Sequence, residues 1–456
     1  MTFPLAVPRT LVVQVAGSSP VTPPIATLGT CIDTTRDVSC EVTVTTSLTT
    51  SVRSAWTIEL GAAAGLPTIE ASLSVLMADD PHMSAELVTS FKEPVLRQTA
   101  QFGIGAQLAA DGTVAVFGAA GTTSSSRRWS IWRNDGGWAE EAVFEGSALF
   151  TQSPISRDGS RIAVPSPDGG RAARILDRTP SGWVEEAVIP GVDLAWWLSG
   201  DGTCLTTVRG SATRVFARDA GWTESFVGPW SYSVVSDDCS VLVTSAPDPS
   251  PVLTVYRRSG DQWSFDTTIV PTLASWTGGS VWLSAEGSTL VLTDPINNAS
   301  VPPNGGEVEV FQKTNGVWSS EAVLRPDPGY PPTLVGAGVV LNQFGVGGHL
   351  SADGNRLVVG ASAENRDAGF GANGSVYVFT RYGTRWVRSL RLTSPAAGTG
   401  SLFGEVISVT PDGLRFLVSE TGNNSGGPGV NGDLFTPTTP GSGAAFLFRI
   451  VSDGGS

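Results

Sequence analysis

The sequence predicts an all-β fold, a seven-bladed β-propeller, and three observations carry the prediction. The first is composition: the 456 residues include 54 Gly and 30 Pro, and only 15% are charged, which favours many short strands joined by turns. The second is a strand–turn–strand line that recurs seven times. The third is a turn followed by Trp and a further strand, which recurs six times between those lines.

The strand–turn–strand line is clearest in two segments, QFGIGAQLAADGTVAVFGAA from Gln101 and QFGVGGHLSADGNRLVVGAS from Gln343. Asp-Gly between two alternating apolar runs predicts a hairpin, because both residues tolerate the positive φ of tight turns. Steps of 36 to 67 residues between the acidic turns are typical of propeller blades. The seven acidic turn positions are Asp111, Asp158, Asp201, Asp237, Glu286, Asp353 and Asp412.

The Trp pattern supplies the third and fourth strands that a propeller blade requires. Its members are Trp138, Trp183, Trp222, Trp263, Trp318 and Trp386, and we expect them to pack between strands. The seventh unit stops after its third strand, whereas SFKEPVLRQ at residues 90–98 resembles a fourth strand. We therefore predict that this N-terminal strand completes the last blade, since ring closure removes two open sheet edges.

The chain is predicted to contain two domains. Residues 1–88 hold alternating runs such as TLVVQVAG and CEVTVTTSL, which predict a small β-rich, sandwich-like domain, and residues 89–456 form the propeller. Cys31 and Cys40 flank a short polar loop and are a possible disulfide. Whether Cys204 and Cys239 pair is left open, although an even cysteine count fits an oxidising compartment.

Charge and hydropathy exclude several classes of protein. A net charge of −14 argues against a nucleic-acid groove. No apolar run reaches about 18 residues, so no transmembrane segment is expected. The N-terminus lacks a basic start followed by an apolar stretch, and no secretory signal is evident in this chain.

One family resemblance rests on the Phe-Gly pairs. The line QFGxGxxLSADGNxLVVGAS…GSVYVFTR resembles the FG-GAP repeat of integrin α-chain propellers and of bacterial secreted or surface proteins. The resemblance covers about residues 90–456 and is specific in units one, six and seven. It implies a seven-bladed propeller used for binding, often adhesive, outside the cell. We therefore expect a secreted protein, or one at the cell envelope or surface, that binds a protein or glycan, and we also expect a monomer without enzymatic activity. The pairs are Phe102-Gly103, Phe344-Gly345 and Phe403-Gly404.

Calcium is where the sequence departs from that family. Integrin-type blades hold Ca²⁺ in D-x-D-x-D-G loops, and this sequence has no D-x-D. With so few carboxylates, any Ca²⁺ site in this chain should be weak, and no cofactor is expected. The alternative to a Ca²⁺ site is a loop that only forms a turn and holds no metal. The weak Ca²⁺ candidates are Asn365, Asp367 and Asn373 in unit six, and Asn423, Asn431 and Asp433 in unit seven.

No catalytic residue is assigned, because the chain has only His82 and His349 and lacks G-x-S-x-G and H-E-x-x-H. Trp196, Trp197 and Trp230 fall outside the repeated register and are candidate exposed aromatic contacts. In a strand, at least one of the adjacent pair should point away from its neighbour.

The long loops of units five to seven, at residues 294–306, 362–374 and 421–443, predict a binding patch. Two alternatives to a binding protein stay open. One is an enzyme, a lyase or hydrolase, with its site at the central channel. The other is an intracellular scaffold of the WD40 kind.

Overall fold

The computed structural model describes two compact units that divide between His82 and Met83. In the first unit it describes strand backbone only. In the second it describes residues 83–452 except 122, 124–125, 148–151, 168–170, 220, 230–231, 247–251, 274–278, 297–304, 327–333, 336–337, 340–342, 365–372 and 397–400. Among these described residues, there is no helix that is long and apolar enough to cross a membrane.

The first unit contains two three-stranded antiparallel sheets, with the orders β1-β4-β3 and β2-β5-β6. Cys31 lies opposite Cys40 in the register of β3 and β4. Their side chains lie outside the described residues, so the disulfide, like the sandwich-like arrangement, stays a prediction. The strands are β1 (Thr2–Phe3), β2 (Leu11–Ala16), β3 (Ile25–Asp33), β4 (Val38–Thr45), β5 (Ala55–Ala62) and β6 (Ile69–Ser74).

The second unit is a ring of seven antiparallel sheets, which confirms the predicted seven-bladed β-propeller. The strand that closes it is β7 (Met83–Phe91). Blade 1 contains β8 (Ile104–Leu108), β9 (Val114–Ala120), β10 (Ser126–Asn134) and β11 (Trp138–Ser147). Blade 2 contains β12 (Arg161–Pro165), β13 (Ala172–Thr179) and β14 (Gly182–Pro190), with an inner bridge from Ile155 to Ile162. Blade 3 contains β15 (Leu194–Leu198), β16 (Cys204–Arg209), β17 (Ala212–Arg218) and β18 (Trp222–Pro229).

In the remaining blades, too, the first strand lies innermost at the central channel and the last-named strand lies outermost. Blade 4 contains β19 (Tyr232–Val235), β20 (Val241–Ala246), β21 (Val252–Ser259) and β22 (Gln262–Ile269). Blade 5 contains β23 (Val281–Leu283), β24 (Thr289–Asp294), β25 (Glu307–Thr314) and β26 (Val317–Leu324), and a small hairpin follows, β27 (Leu334–Val335) with β28 (Gly338–Val339). Blade 6 contains β29 (Phe344–Leu350), β30 (Arg356–Ala361), β31 (Ser375–Tyr382) and β32 (Arg385–Thr393). Blade 7 contains β33 (Phe403–Val409), β34 (Arg415–Glu420), β35 (Ala444–Ser452) and β7.

Ring closure by an N-terminal strand is confirmed, but the strand lies earlier than predicted. β7 pairs antiparallel with β35 and ends at Phe91, instead of covering residues 90–98. Pro94 explains the difference, because proline has no N–H to donate to a sheet ladder. The predicted domain boundary at 88–89 therefore falls inside β7. Phe91 and Phe102 share one buried cluster with residues of blades 7 and 1, so the closing seam is packed.

The acidic turns owe their recurrence to local hydrogen bonds. The hydroxyl of Ser156 donates to Asp158 Oδ1 over 2.6 Å, and Ser160 N–H donates to the same oxygen over 3.0 Å. In unit four the turn carboxylate is Asp238, not the predicted Asp237, which instead forms an ion pair with Arg157. The same 2.6 Å hydroxyl contact is made to Asp201, Asp238, Asp353 and Asp412.

The Phe-Gly pairs lie where successive blades meet. Phe403 is fully buried, and its N–H donates to Asn373 O of blade 6 over 3.2 Å. Gly404 follows with φ +94°, and a Cβ there would approach Ser375 O to 2.9 Å. The backbones of adjacent blades therefore come too close at this point for any side chain.

The repeated Trp residues also join neighbouring blades. Trp183 Nε1 of blade 2 donates to Glu141 Oε2 of blade 1 over 3.2 Å, and Arg178 binds the same carboxylate over 2.7 Å. Trp222 with Glu186, and Trp386 with Glu321, repeat the contact at later seams. The outer-strand carboxylates and the Trp pattern thus stabilise the ring.

Candidate functional site

The propeller has two faces that differ in their connections. The acidic turns join the first and second strands of each blade at one face, here the turn face. The second strand runs antiparallel to the first, so the inserts before the third strand lie at the opposite face, here the insert face. Inner strands start there too: Phe344 N–H donates to Gly305 O over 3.2 Å, and Phe102 N–H donates to Ser442 O over 3.0 Å.

The three long loops predicted as a binding patch therefore share the insert face, in the consecutive blades 5, 6 and 7. Only the loop at residues 421–443 is described throughout, because 297–304 and 365–372 lie outside the described residues. Phe435 in this loop is 67% exposed. A binding role for the patch stays a prediction.

The inner strands of all seven blades surround a central channel. Gln107, Trp197 and His349 border a cavity on each side, one towards each face, and we name these three residues the neck. The cavity towards the insert face has a volume of about 680 Å³, counting its open mouth, and we name it the upper funnel. Besides the three neck residues, the residues that line the upper funnel include Gln152, Trp196, Tyr232, Ser233, Ser280, Trp282, Gly348 and Glu405.

A β-bulge brings both adjacent Trp residues to this channel. Ala195 pairs with Thr207 and Trp197 pairs with Thr206, which leaves Trp196 as the extra residue of β15. Both residues border the channel because a bulge breaks the two-residue alternation of a strand, and that one indole points away from the other stays a prediction. The ring of Trp196 lies 5.5 Å from that of Tyr232. Trp230, the third aromatic candidate, lies outside the described residues.

His349 closes the neck as an uncharged aromatic ring. Its ring lies 5.3 Å from Trp197, and its Nδ1 accepts a 3.0 Å hydrogen bond from Val409 N–H. Burial, reinforced by the charge of Arg157, lowers the pKa of His349 to about 4. The imidazole is therefore neutral at physiological pH and separates the upper funnel from the turn face.

Polar groups in the upper funnel lack hydrogen-bond partners within the protein. Ser233 is only 7% exposed, yet its Oγ is unpartnered, as is Trp196 Nε1. Buried polar atoms in native proteins are usually paired with protein, water or ligand. Since His349 is neutral, Glu405 is the one charged side chain among the described lining residues. Its carboxylate accepts a hydrogen bond from the Thr421 hydroxyl.

The funnel has two unlike halves. Blades 3, 4 and 5 supply the aromatic residues Trp196, Tyr232 and Trp282, and blades 7, 1 and 2 supply carboxylate and amide groups. Sequence reasoning selected the two Trp of β15 but missed Tyr232, Trp282 and Glu405. Their common signal is a place in the first strand of a unit, directly after the loop that joins two blades.

A lysine ammonium binds Asn423, one of the predicted Ca²⁺ candidates of blade 7. Lys92 Nζ donates to Asn423 Oδ1 over 2.7 Å, to Ser442 Oγ over 2.9 Å and to Ser425 Oγ over 3.1 Å. Burial lowers the pKa of Lys92 to about 8, opposed by the charge of Glu420. The oxygens of the 421–443 loop therefore bind the ammonium group of Lys92, the residue that directly follows the closing strand β7.

The other Ca²⁺ candidates that the structure describes are not brought together. Asn431 Oδ1 accepts from Ser90 N–H over 2.9 Å, and Asp433 Oδ1 accepts from Phe435 N–H within its own loop. Asn373 lies at the seam with blade 7, whereas Asn365 and Asp367 lie outside the described residues. Within the described part of the chain, no three His, Cys, Asp or Glu residues are grouped to hold a metal.

The pairing that the sequence left open is a disulfide between Cys204 and Cys239, with Cα atoms 5.7 Å apart. Cys204 begins β16 in blade 3, and Cys239 takes the place of the turn glycine in blade 4 with φ +57°. The bond links adjacent blades at the turn face. The missing glycine was the available signal in the sequence.

Comparison with known proteins assigns no family. No protein-family profile matches the chain, and no curated protein matches it. A chain of a mitotic checkpoint complex structure aligns with a TM-score of 0.48 and 12% identity over 83% of this chain and 98% of that chain. KlHsv2 with loop 6CD replaced by a Gly-Ser linker gives 0.47 and 12% over 70% and 89%. Hsv2 of Kluyvelomyces marxianus gives 0.41 and 11% over 69% and 91%.

Proposed function

We propose that the protein is a non-catalytic, FG-GAP-type binding protein that acts outside the cytosol and recognises a protein or glycan with its insert face. One observation carries the proposal: the two faces are built differently. The turn face repeats one short hydrogen-bonded turn, whereas the insert face carries inserts of different length around an open funnel. Variable loops on a rigid scaffold are the usual place for recognition.

The disulfide between Cys204 and Cys239 supports the extracytosolic part of the proposal. Disulfides persist in oxidising compartments and are rare in reducing ones. This pair links two blades of the ring at the turn face, away from the proposed recognition surface, which fits a structural role.

The chemistry of the funnel favours binding over catalysis. Among its described lining residues only Tyr232, His349 and Glu405 carry ionisable side chains. His349 Nδ1 is bonded to the backbone, and its low pKa makes it a poor proton acceptor at neutral pH. Glu405 is the one carboxylate among the described lining residues, and the hydroxyl bonded to it, that of Thr421, is not part of the lining, so acyl or glycosyl transfer lacks its usual groups.

Two exposed phenylalanines allow a matched test. Phe435 on the insert face is 67% exposed, and Phe265 on the outer strand of blade 4 is 63% exposed. The full chain is applied to an array of immobilised glycans and of purified ectodomains. We expect Phe435→Ser to reduce binding to the captured partner at least several-fold and Phe265→Ser to leave it unchanged. Equal loss in both variants, or turnover of the bound partner, would contradict the proposal.

A further inference from the structure

We propose that the upper funnel binds an organic cation, a substituted ammonium group held between the aromatic half and Glu405. This inference deepens the proposed function and rests on it, because the funnel is the centre of the insert face. It assigns the recognised chemical group, which the loops alone do not indicate.

Charge is the first argument. Among the described lining residues no Lys or Arg faces the upper funnel, and Glu405 makes no ion pair with a described residue. The nearby His349 is neutral, since burial lowers its pKa to about 4. A concave, acidic site in a protein of net charge −14 concentrates cations and disfavours anions. A bound ammonium would supply the counter-charge that Glu405 lacks.

Aromatic geometry is the second argument. The rings of Trp196 and Tyr232 meet at 57°, which makes a corner instead of a flat stack. Trp282 of blade 5 completes this wall, and Gly348 of blade 6 leaves the space for it, since a Cβ there would clash with the Trp282 ring. A cation within about 6 Å of such ring centroids is attracted by their negative faces.

The unpartnered hydroxyl of Ser233 is the third argument. It is nine-tenths buried and lies beside Tyr232 in the first strand of blade 4. A ligand with a hydroxyl or carbonyl oxygen next to its cationic centre would satisfy this group, directly or through one water. We therefore expect choline to bind more tightly than tetramethylammonium.

The test is calorimetric titration of the full chain with choline chloride. Its neutral isostere 3,3-dimethylbutan-1-ol and glucose serve as the comparison ligands. We expect choline to bind at least about tenfold more tightly than either neutral ligand, because a desolvated cation–π contact contributes about that factor. Glu405→Gln should weaken choline binding by about tenfold, and the surface control Glu185→Gln should not change it.

The outcomes separate the two proposals. Equal affinity for choline and its neutral isostere, or binding of glucose without choline, overturns the cation site. If choline fails while Phe435→Ser still abolishes partner binding, the cation site is wrong and the proposed function stands. If choline binds but no partner depends on Phe435, the proposed function is wrong and the funnel site stands. Should Glu405→Gln fail to fold, Trp196→Phe replaces it, with choline affinity expected to fall about threefold.

Discussion

The two faces of this propeller come from one repeating chain, yet they follow different rules. At the turn face, a hydroxyl and a carboxylate two residues apart fix five of the seven turns in the same way. At the insert face the connections vary from blade to blade, and the buried ammonium of Lys92 has a set of three hydrogen bonds of its own. The difference teaches that the repeat constrains the turns of one face and leaves the connections of the other free to vary.

The faces also have opposite electrostatic character. Burial would raise the pKa of Asp353 at the turn face, but hydrogen bonds from Ser351 and Asn355 hold it below its ordinary value. At the insert face, burial raises the pKa of Glu420 to about 7, although neighbouring hydroxyls and Lys92 oppose it. Burial and the charge of Glu307 raise the pKa of Asp294 to about 6. The carboxylates of the acidic turns are thus solvated by hydrogen bonds, whereas the buried carboxylates Asp294 and Glu420 of the insert face are desolvated.

The largest expected effect comes from removing residues 83–93, which hold β7 and Lys92. β35 would lose its partner strand, and the loop at 421–443 would lose its cation. An open ring has an exposed sheet edge, so we expect aggregation and loss of a cooperative thermal transition. Light scattering and calorimetry measure both.

A chain that begins at Met83 is the control, because it keeps β7 and should stay monodisperse. The idea that β7 closes the ring would be abandoned if the 83–93 deletion were monodisperse with an unchanged melting temperature.

Replacing both Cys204 and Cys239 by Ser is expected to have the next largest effect. The bond closes a loop of 35 residues, and its loss should lower the free energy of unfolding by about 3–4 kcal/mol in the chain-entropy model. Urea denaturation measures the change. Because the bond lies at the turn face, partner binding should survive, and a binding defect without a stability defect would break the division between faces.

Lys92→Met tests the insert face. The change leaves the oxygens of Asn423 and Ser442 without their donor and Glu420 without its nearest cation, so we expect a loss of about 3 kcal/mol. The second lysine of the chain gives the control: Lys313 pairs with Asp266 near the surface, and Lys313→Met should cost less than about 1 kcal/mol. Equal losses in urea denaturation would show that the buried ammonium has no special role.

Much of the fold could be predicted because its signals are local. Each acidic turn is completed within six residues, so seven turns could be counted from the sequence. The predicted closing strand at residues 90–98 lies too far along the chain, because SFKEPVLRQ resembles the fourth strand of another blade. That resemblance took no account of Pro94, which cannot donate to a sheet. The Cys204–Cys239 bond depends on two blades lying side by side, which spacing alone does not show.

The funnel was less predictable than the fold, for a physical reason. Trp196 reaches the channel only because of a bulge, and a bulge is a property of strand pairing. Tyr232 and Glu405 belong to blades 4 and 7 and meet one cavity only when the ring closes. Sites assembled from distant segments leave no contiguous motif in the chain.

The smallest expected effect is a pair of opposite pH dependences from two Asp→Asn variants. Asp294, with its pKa raised from 3.8 to about 6, contributes stability that is complete below about pH 4 and lost as the pH rises through 6. Asp353, with its pKa lowered, contributes stability that is present above about pH 4 and lost as the pH falls further.

Asparagine does not titrate, so each variant removes one of these dependences. Relative to the wild type, Asp294→Asn should gain stability as the pH rises from about 4 to about 7, because the wild type alone must ionise a buried carboxyl. Asp353→Asn should instead lose relative stability as the pH rises to about 4, because the wild type gains from a hydrogen-bonded carboxylate in that range. Urea denaturation at several pH values measures both slopes. Slopes of the same sign would mean that the two faces do not differ in how they treat charge, and the contrast between a stabilising face and a recognition face would then rest on loop length alone.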